Sequence, residues 1–349
     1  MHRRSYMELN IVPRDLLDDV SAAIERYQLL EPRERVLVAV SGGKDSLLLA
    51  RALAELGYEA KLVAVDMGYE DSWNTRVSTA AEEIGLHLAV IDVRSTAFQT
   101  AIGQKHQEYL NSQLSALDMI SADAELTATP CTHCYNTKAV ALSIAADAMR
   151  IRRVAFGHHA TDAITSLLKS GLMYIDRWDI GHARFDRKNF SALIDNAIEQ
   201  VDEHSKTRCG IPILARVREL VETGFAGTDE PPRQAPLAFD DGQEIIRPLF
   251  RIGEMRIIQF RTEVEWRTEG SGCGHGATRD TQTPREMIQH RLLRRLEDSA
   301  VGAQVVADLF KAVEERLAPD GSNFISARKR RADILGNSYK PALRYESKL

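Results

Sequence analysis

VLVAVSGGKDSLLLARAL, residues 36–53, runs an apolar, β-branched stretch into a Ser-Gly-Gly turn and straight on into an amphipathic helix. That is the build of a strand, loop and helix that grip an anion. Gly42 and Gly43 carry no side chain, so the backbone can turn sharply there and bring its N–H groups close to phosphate. Ser41 and Ser46 add hydroxyl donors. The helix starting near Lys44 points its positive end at the same place, and the Lys44 ammonium adds a point charge. Asp45 needs a separate explanation: a carboxylate beside phosphate is repelled unless a divalent cation such as Mg²⁺ lies between them, or unless the carboxylate orients a second substrate. The spacing lacks the longer Gly-x-x-x-x-Gly-Lys-Ser/Thr loop that handles a γ-phosphate, so pyrophosphate is the expected anion.

Outward from this segment, the spacing of Leu16, Leu17, Val20, Ala23, Ile24 and Tyr27 predicts a helix over 11–31. Apolar runs at 36–40, 61–68, 86–93 and 153–157 read as strands, separated by helical stretches after Lys44, at 76–84 and at 136–149. Alternation of this kind predicts an α/β fold with a parallel sheet flanked by helices. Ligands in such sheets bind beyond the carboxyl ends of the strands, where Ser41, Asp66, Val93 and His158 fall. Asp66 can face the adenosine of a nucleotide or serve only as a cap. The expected organisation is a helical segment at 1–35, a nucleotide-binding domain at 36–170, and a mainly helical insertion at 171–243 with prolines at 231, 232 and 236. Residues 244–284 then complete the domain, and a helical tail occupies 285–349.

The chain has 349 residues, 44% of them hydrophobic, enough for an ordinary core. Its 45 Lys and Arg stand against 50 Asp and Glu, so any nucleic-acid surface must be local. One candidate lies in 285–349, where 13 Lys and Arg face 9 Asp and Glu and include Arg291, Arg294, Arg295 and the run Arg328 to Arg331. A solvated helix face accounts for such clusters as well as RNA phosphate does. No apolar run reaches the ~20 residues of a membrane span and the first ten residues lead into no signal-peptide core, so a cytoplasmic protein without membrane contact is expected.

Four cysteines in a chain of this length do not make a disulfide scaffold. Two form Cys131-Thr132-His133-Cys134, just ahead of the helix expected at 136, where a helix N-terminus favours thiolate. Cys273 sits among Gly270, Gly272, Gly274 and Gly276, which let backbone crowd a bulky group. Cluster, zinc and dithiol readings all remain open on these residues alone. Three thiolates would leave one iron of a [4Fe-4S] cluster open to another ligand, while Cys209, in the insertion, reads as an idle thiol.

SGGKDS resembles the signature of the PP-loop ATP pyrophosphatases, which cleave ATP to AMP and pyrophosphate while adenylating a carbonyl oxygen. With CTHC between the third and fourth strands and Cys273 after an Arg247-Pro248-Leu249 element, the chain is similar to the iron-sulfur-dependent tRNA thiolation enzymes, the 2-thiocytidine synthetases and their 2-thiouridine relatives. The resemblance implies that Cys131, Cys134 and Cys273 hold a catalytic [4Fe-4S] cluster. It implies ATP as co-substrate, tRNA as partner, a sulfur donor such as sulfide or a cysteine-desulfurase persulfide, and a homodimer as a candidate assembly. GHHATDAITS, 157–166, matches the family's Gly-His-x-x-Asp-Asp-x-x-Glu/Gln-Thr pattern at Gly157, His158 and Asp162, beside the ATP phosphates. It departs at Thr161, Thr165 and Ser166, so a metal contact or base recognition is expected to differ. His159 falls on an unspecified position of that pattern and is expected to have no chemical task. Arg247 and Arg279 are candidate phosphate or RNA contacts, with a surface ion pair as the alternative.

The expected activity is ATP-dependent sulfur insertion into a tRNA cytidine or uridine. Asp45, Cys131, Cys134 and Cys273 are its candidate catalytic residues. A PP-loop enzyme acting on a non-RNA carbonyl and a nucleotide-binding iron-sulfur sensor are the rival expectations.

Overall fold

A computed structural model describes residues 12–68, 70–93, 130–166, 168, 237–240, 243–264, 266, 287–298, 300–314 and 322–323. They contain strands β1 (Arg35–Ala39), β2 (Glu59–Asp66), β3 (Leu88–Asp92), β4 (Arg153–Ala155), β5 (Leu237–Asp240), β6 (Gln243–Ile246) and β7 (Ser322–Asn323). The helices are α1 (Arg14–Arg26), α2 (Lys44–Glu55), α3 (Trp73–Glu83), α4 (Pro130–Met149), α5 over 160–166, α6 (Glu254–Val264), α7 (Arg294–Glu297) and α8 (Ala300–Glu314), with a π-helical turn at Met287–Leu293 leading into α7.

The strands form one sheet in the order β3-β2-β1-β4-β6-β5-β7. The first five are parallel, with Arg35 opposite Glu59, Leu37 opposite Val154 and Val154 opposite Ile245; β5 then turns antiparallel to β6, with Leu237 opposite Ile246. The expected parallel α/β sheet is therefore present. From β1 the chain builds outward to β2 and β3, and only later returns to lay β4 on the other side of β1. That reversal opens a crevice between the carboxyl ends of β1 and β4, the place where open α/β sheets take ligands.

Strand alternation assigns the core. Val36 and Val38 join the cluster formed with Leu16, Val20, Leu47, Leu48 and Val77 of α1, α2 and α3. Leu37 lies in a second cluster with Val63, Val65, Ala141 and Leu142, the last two from α4. Successive β1 side chains thus serve opposite faces, and both faces are covered, as a buried parallel sheet requires.

Helix ends differ from expectation for identifiable reasons. α1 stops at Arg26 rather than 31: Gln28 takes φ +50° and the Leu29 N–H reaches back to the Ile24 carbonyl at 2.9 Å. This is a six-to-one closure of the helix end. α2 closes the same way through Gly57 (φ +83°), with Tyr58 N–H on Leu53 O at 3.0 Å. A glycine announces that stop in the sequence; Gln28 does not. α3 begins at Trp73, three residues before the expected 76. α4 begins at Pro130, so Cys131 and Cys134 lie within its first five residues rather than ahead of it. Proline suits that first position because the amide it lacks has no intrahelical partner there. β5 lies within the stretch expected as a helical insertion, yet joins the sheet between β6 and β7.

Candidate nucleotide site

The loop between β1 and α2 is knotted by its own serines. Ser46, 5% exposed, donates its hydroxyl to the Gly43 carbonyl at 3.0 Å and accepts the Ser41 N–H at 3.2 Å. Its hydroxyl is therefore committed to loop shape, whereas Ser41 is exposed, its hydroxyl 3.3 Å from Ser46 Oγ and 3.4 Å from the Gly43 nitrogen. Gly42 sits at φ +82°, a conformation costly for any residue with a Cβ. Gly43 caps α2 without a side-chain hydrogen bond to the helix's first amides. Those amides, with the helix dipole behind them, are oriented for an anion.

β4 delivers the second segment against this loop. A Cβ on Gly157 would stand 2.9 Å from both the Asp45 carbonyl carbon and the Ser46 nitrogen, so only glycine permits this approach. Beyond it, His158 stacks on Phe156 with ring centroids 5.8 Å apart. His159 turns inward and is 2% exposed. Its Nε2 lies 3.5 Å from Asp162 Oδ2 and 3.7 Å from Asp45 Oδ1. Asp162 also accepts the His159 backbone N–H at 3.2 Å, closing the start of α5. The residue expected to be idle thus stands between two of the candidate site carboxylates.

Lys44 bends toward acid. Its Nζ is 3.0 Å from Asp45 Oδ1 and 3.2 Å from Oε1 of Glu254, the first residue of α6. Glu254 is 3% exposed, and its other contacts are Gln289 Nε2 at 3.2 Å on Oε2 and Arg294 Nη2 at 3.4 Å on Oε1. Its backbone N–H is held at 3.0 Å by the Thr161 hydroxyl. Burial pushes the Glu254 carboxyl up, but Lys44, His159 and Arg294 outweigh burial and hold it below the ordinary carboxylate range. Thr161, where the family pattern has a carboxylate, therefore anchors one supplied from elsewhere in the chain.

Glu254 escaped the sequence reading. The signal available was a Gly-Glu helix start shortly after Arg247-Pro248-Leu249, which looks like any acidic first turn. Asp66 ends β2, 1% exposed, and accepts the Gly68 N–H at 2.8 Å, a turn-forming contact. Arg247 is buried, 6% exposed. Cys131 and Cys134 are the second and fifth residues of α4, three apart in sequence. Cys209, Cys273, Arg279 and the Arg328 to Arg331 run lie outside the described residues. Among the described residues, no three His, Cys, Asp or Glu side chains form a ready metal site, and no helix is long and apolar enough to cross a membrane.

Comparison with known proteins adds to this geometry. Residues 35–126 match a family of unknown function, DUF7411. The chain is 44% identical over 79 residues to the tRNA-5-methyluridine(54) 2-sulfurtransferase of Thermus thermophilus, covering 22% of this chain and 25% of that protein. It is 28% identical over 173 residues to the tRNA-cytidine(32) 2-sulfurtransferase of Anaeromyxobacter sp., covering 48% and 51% respectively. With cytoplasmic tRNA 2-thiolation protein 1 of Anopheles gambiae it shares 28% over 175 residues, 48% of this chain and 45% of that one. The chain thus spans between a quarter and about half of these relatives. Among solved structures, the U34-tRNA thiolase NcsA from Methanococcus maripaludis with its [4Fe-4S] cluster aligns over 86% of this chain and 81% of that one, at a TM-score of 0.48 and 16% identity. The recurrence of tRNA thiolation proteins among the sequence matches relates this chain to the PP-loop tRNA thiolation family.

Proposed function

We propose that this chain is an ATP-dependent tRNA sulfurtransferase that replaces the C2 oxygen of a cytidine or uridine with sulfur, in the cytoplasm. One observation carries the reading: Lys44 and Asp45 of the glycine loop meet His159 and Asp162 at the crevice between β1 and β4. The names of the sequence relatives support tRNA as the acceptor.

The loop amides of 42–46 and Lys44 would hold the β- and γ-phosphates of ATP, and Asp45 with Asp162 would offer carboxylate oxygens to Mg²⁺, which takes few protein ligands when phosphates supply the rest. The base oxygen attacks the α-phosphorus, the bond to pyrophosphate breaks, and the base carries AMP on its oxygen. Sulfide then adds at the same carbon, the carbon–oxygen bond breaks, and AMP leaves with that oxygen. His159, buried beside Asp45, sets its Nε2 between the two acids and so orients the Asp45 carboxylate. Cys131 and Cys134, near the start of α4, would with Cys273 hold a [4Fe-4S] cluster, thiolates being the ligands such clusters take. When bound, the cluster supplies an iron with an open position for sulfide.

Mass spectrometry of tRNA nucleosides tests the reading. Cells lacking the gene should lose one 2-thiopyrimidine, and purified protein should release pyrophosphate from ATP only with tRNA present. An unchanged thionucleoside content would overturn the tRNA assignment. Pyrophosphate release driven by a non-RNA carbonyl compound would replace it.

A further inference from the structure

We propose that Glu254 is a positioning residue that holds the Lys44 ammonium while the loop is empty and takes it back as pyrophosphate leaves. The inference rests on the reading of residues 41–46 as a pyrophosphate loop.

An ammonium has three donors and no acceptor. In this structure one contact goes to Asp45 at 3.0 Å and another to Glu254 at 3.2 Å. Lys44 and Glu254 stand 210 residues apart in sequence, and their ion pair ties the glycine loop to the start of α6. Glu254 cannot swing away to follow its partner. It is 3% exposed, and Thr161 and Gln289 hold its backbone N–H and its second carboxylate oxygen. Lys44, 20% exposed on a flexible stem, is the movable member of the pair.

An arriving pyrophosphate therefore competes with a fixed carboxylate for a mobile ammonium. The competition weakens ground-state binding and speeds release, because Glu254 restores the ion pair that the product gives up. Arg294 on the same carboxylate oxygen, at 3.4 Å, keeps Glu254 ionised and compensated when Lys44 is drawn off. Gln289 and Arg294 belong to the π-helical turn and α7, so the segment leading into the C-terminal helices sets the strength of the holding acid.

Calorimetric titration of the full-length protein with inorganic pyrophosphate and Mg²⁺ tests this. Glu254→Gln removes the charge and keeps the shape, so pyrophosphate should bind roughly three- to tenfold tighter. In turnover, both KM for ATP and kcat should fall, as slower product release requires. The gain should vanish in a Lys44→Ala background if Glu254 acts through Lys44. An equal gain there would mean bare repulsion of phosphate, and unchanged or weaker binding in a folded Glu254→Gln would mean a purely structural acid; either overturns the proposal. Glu254→Asp, which keeps a buried carboxylate but shortens its reach, should shift binding the same way by a smaller factor, and no shift would count against the proposal even where the Gln variant fails to fold. Wild-type protein that binds no pyrophosphate would overturn the loop reading together with this one, whereas normal wild-type binding with an inert Glu254 would leave the loop reading standing.

Discussion

The His159 imidazole points Nε2 at Asp45, 3.7 Å from Oδ1, from a position only 2% exposed. Asp162 lies 3.5 Å from the same nitrogen, while Nδ1 is buried with no hydrogen-bond partner among the described residues. Nε2 is therefore the ring nitrogen that faces the two acids. His159→Ala should then lower pyrophosphate release about tenfold or more, with KM for ATP changed less than about twofold, because Asp45 loses its orienting neighbour and the phosphate amides remain. His159→Gln, whose amide nitrogen can reach a similar place, should recover part of that loss. Equal activity of wild type and His159→Ala in steady-state assays would return His159 to a packing role.

Gly157 tests the crevice itself. An added methyl would meet the backbone of Asp45 and Ser46 at 2.9 Å, and backbone cannot step aside as a flexible side chain can. Gly157→Ala should destabilise the protein by about 1–3 kcal/mol in denaturant titration. ATP binding should fall as well, since relief of the contact must move either the end of β4 or the first turn of α2. A variant of wild-type stability and affinity would mean that the two segments approach less closely in solution.

The parallel sheet was legible from residues 36–40 and 61–68 because strands buried on both faces read as continuous apolar runs, and 86–93 carries enough of the same pattern to read as a strand although β3 is a partly exposed edge. Glycine marked the stop of α2, and SGGKDS marked the ligand end of β1. β5 was not legible: its short Leu237–Asp240 run follows a proline-rich stretch and acquires strand identity only by pairing with β6. His159 and Glu254 were hidden for a related reason. A histidine in a polar loop and a glutamate in a first turn look solvated in one dimension, and each is buried only because β1, β4 and α6 converge.

Glu297 predicts a pH dependence of stability. Burial first, then the nearby charges of Glu254 and Asp298, push its carboxyl up to about 7, against a lowering pull from Arg294. A folded-state value above the unfolded one means the native protein binds more protons between pH ~4.5 and ~7, so stability falls across that window as pH rises and levels off above it. Partial solvent contact limits the effect to about 1–2 kcal/mol. Glu297→Gln should flatten this slope in urea titrations at pH 5 and 8 and should be the more stable protein at pH 8. A variant that keeps the wild-type slope would assign the titration to another group.

The cysteines give the most direct test of the metal chemistry. Cys131 and Cys134 lie within the first five residues of α4, at the helix end whose dipole favours thiolate, and that helix leads into β4. Anaerobically purified protein should be brown with about four irons and four acid-labile sulfides per chain. Cys131→Ser, Cys134→Ser and Cys273→Ser should each lose the colour, because oxygen is a poor substitute for a soft thiolate ligand. Cys209→Ser should keep both cluster and activity, and added sulfide should perturb the cluster spectrum equally in that variant and in wild type. Stoichiometric zinc without iron would reassign the site as structural. Loss of the cluster in Cys209→Ser would make that residue a fourth ligand, close the iron that sulfide needs, and leave a sensing or electron-transfer role as the chemistry consistent with four thiolates.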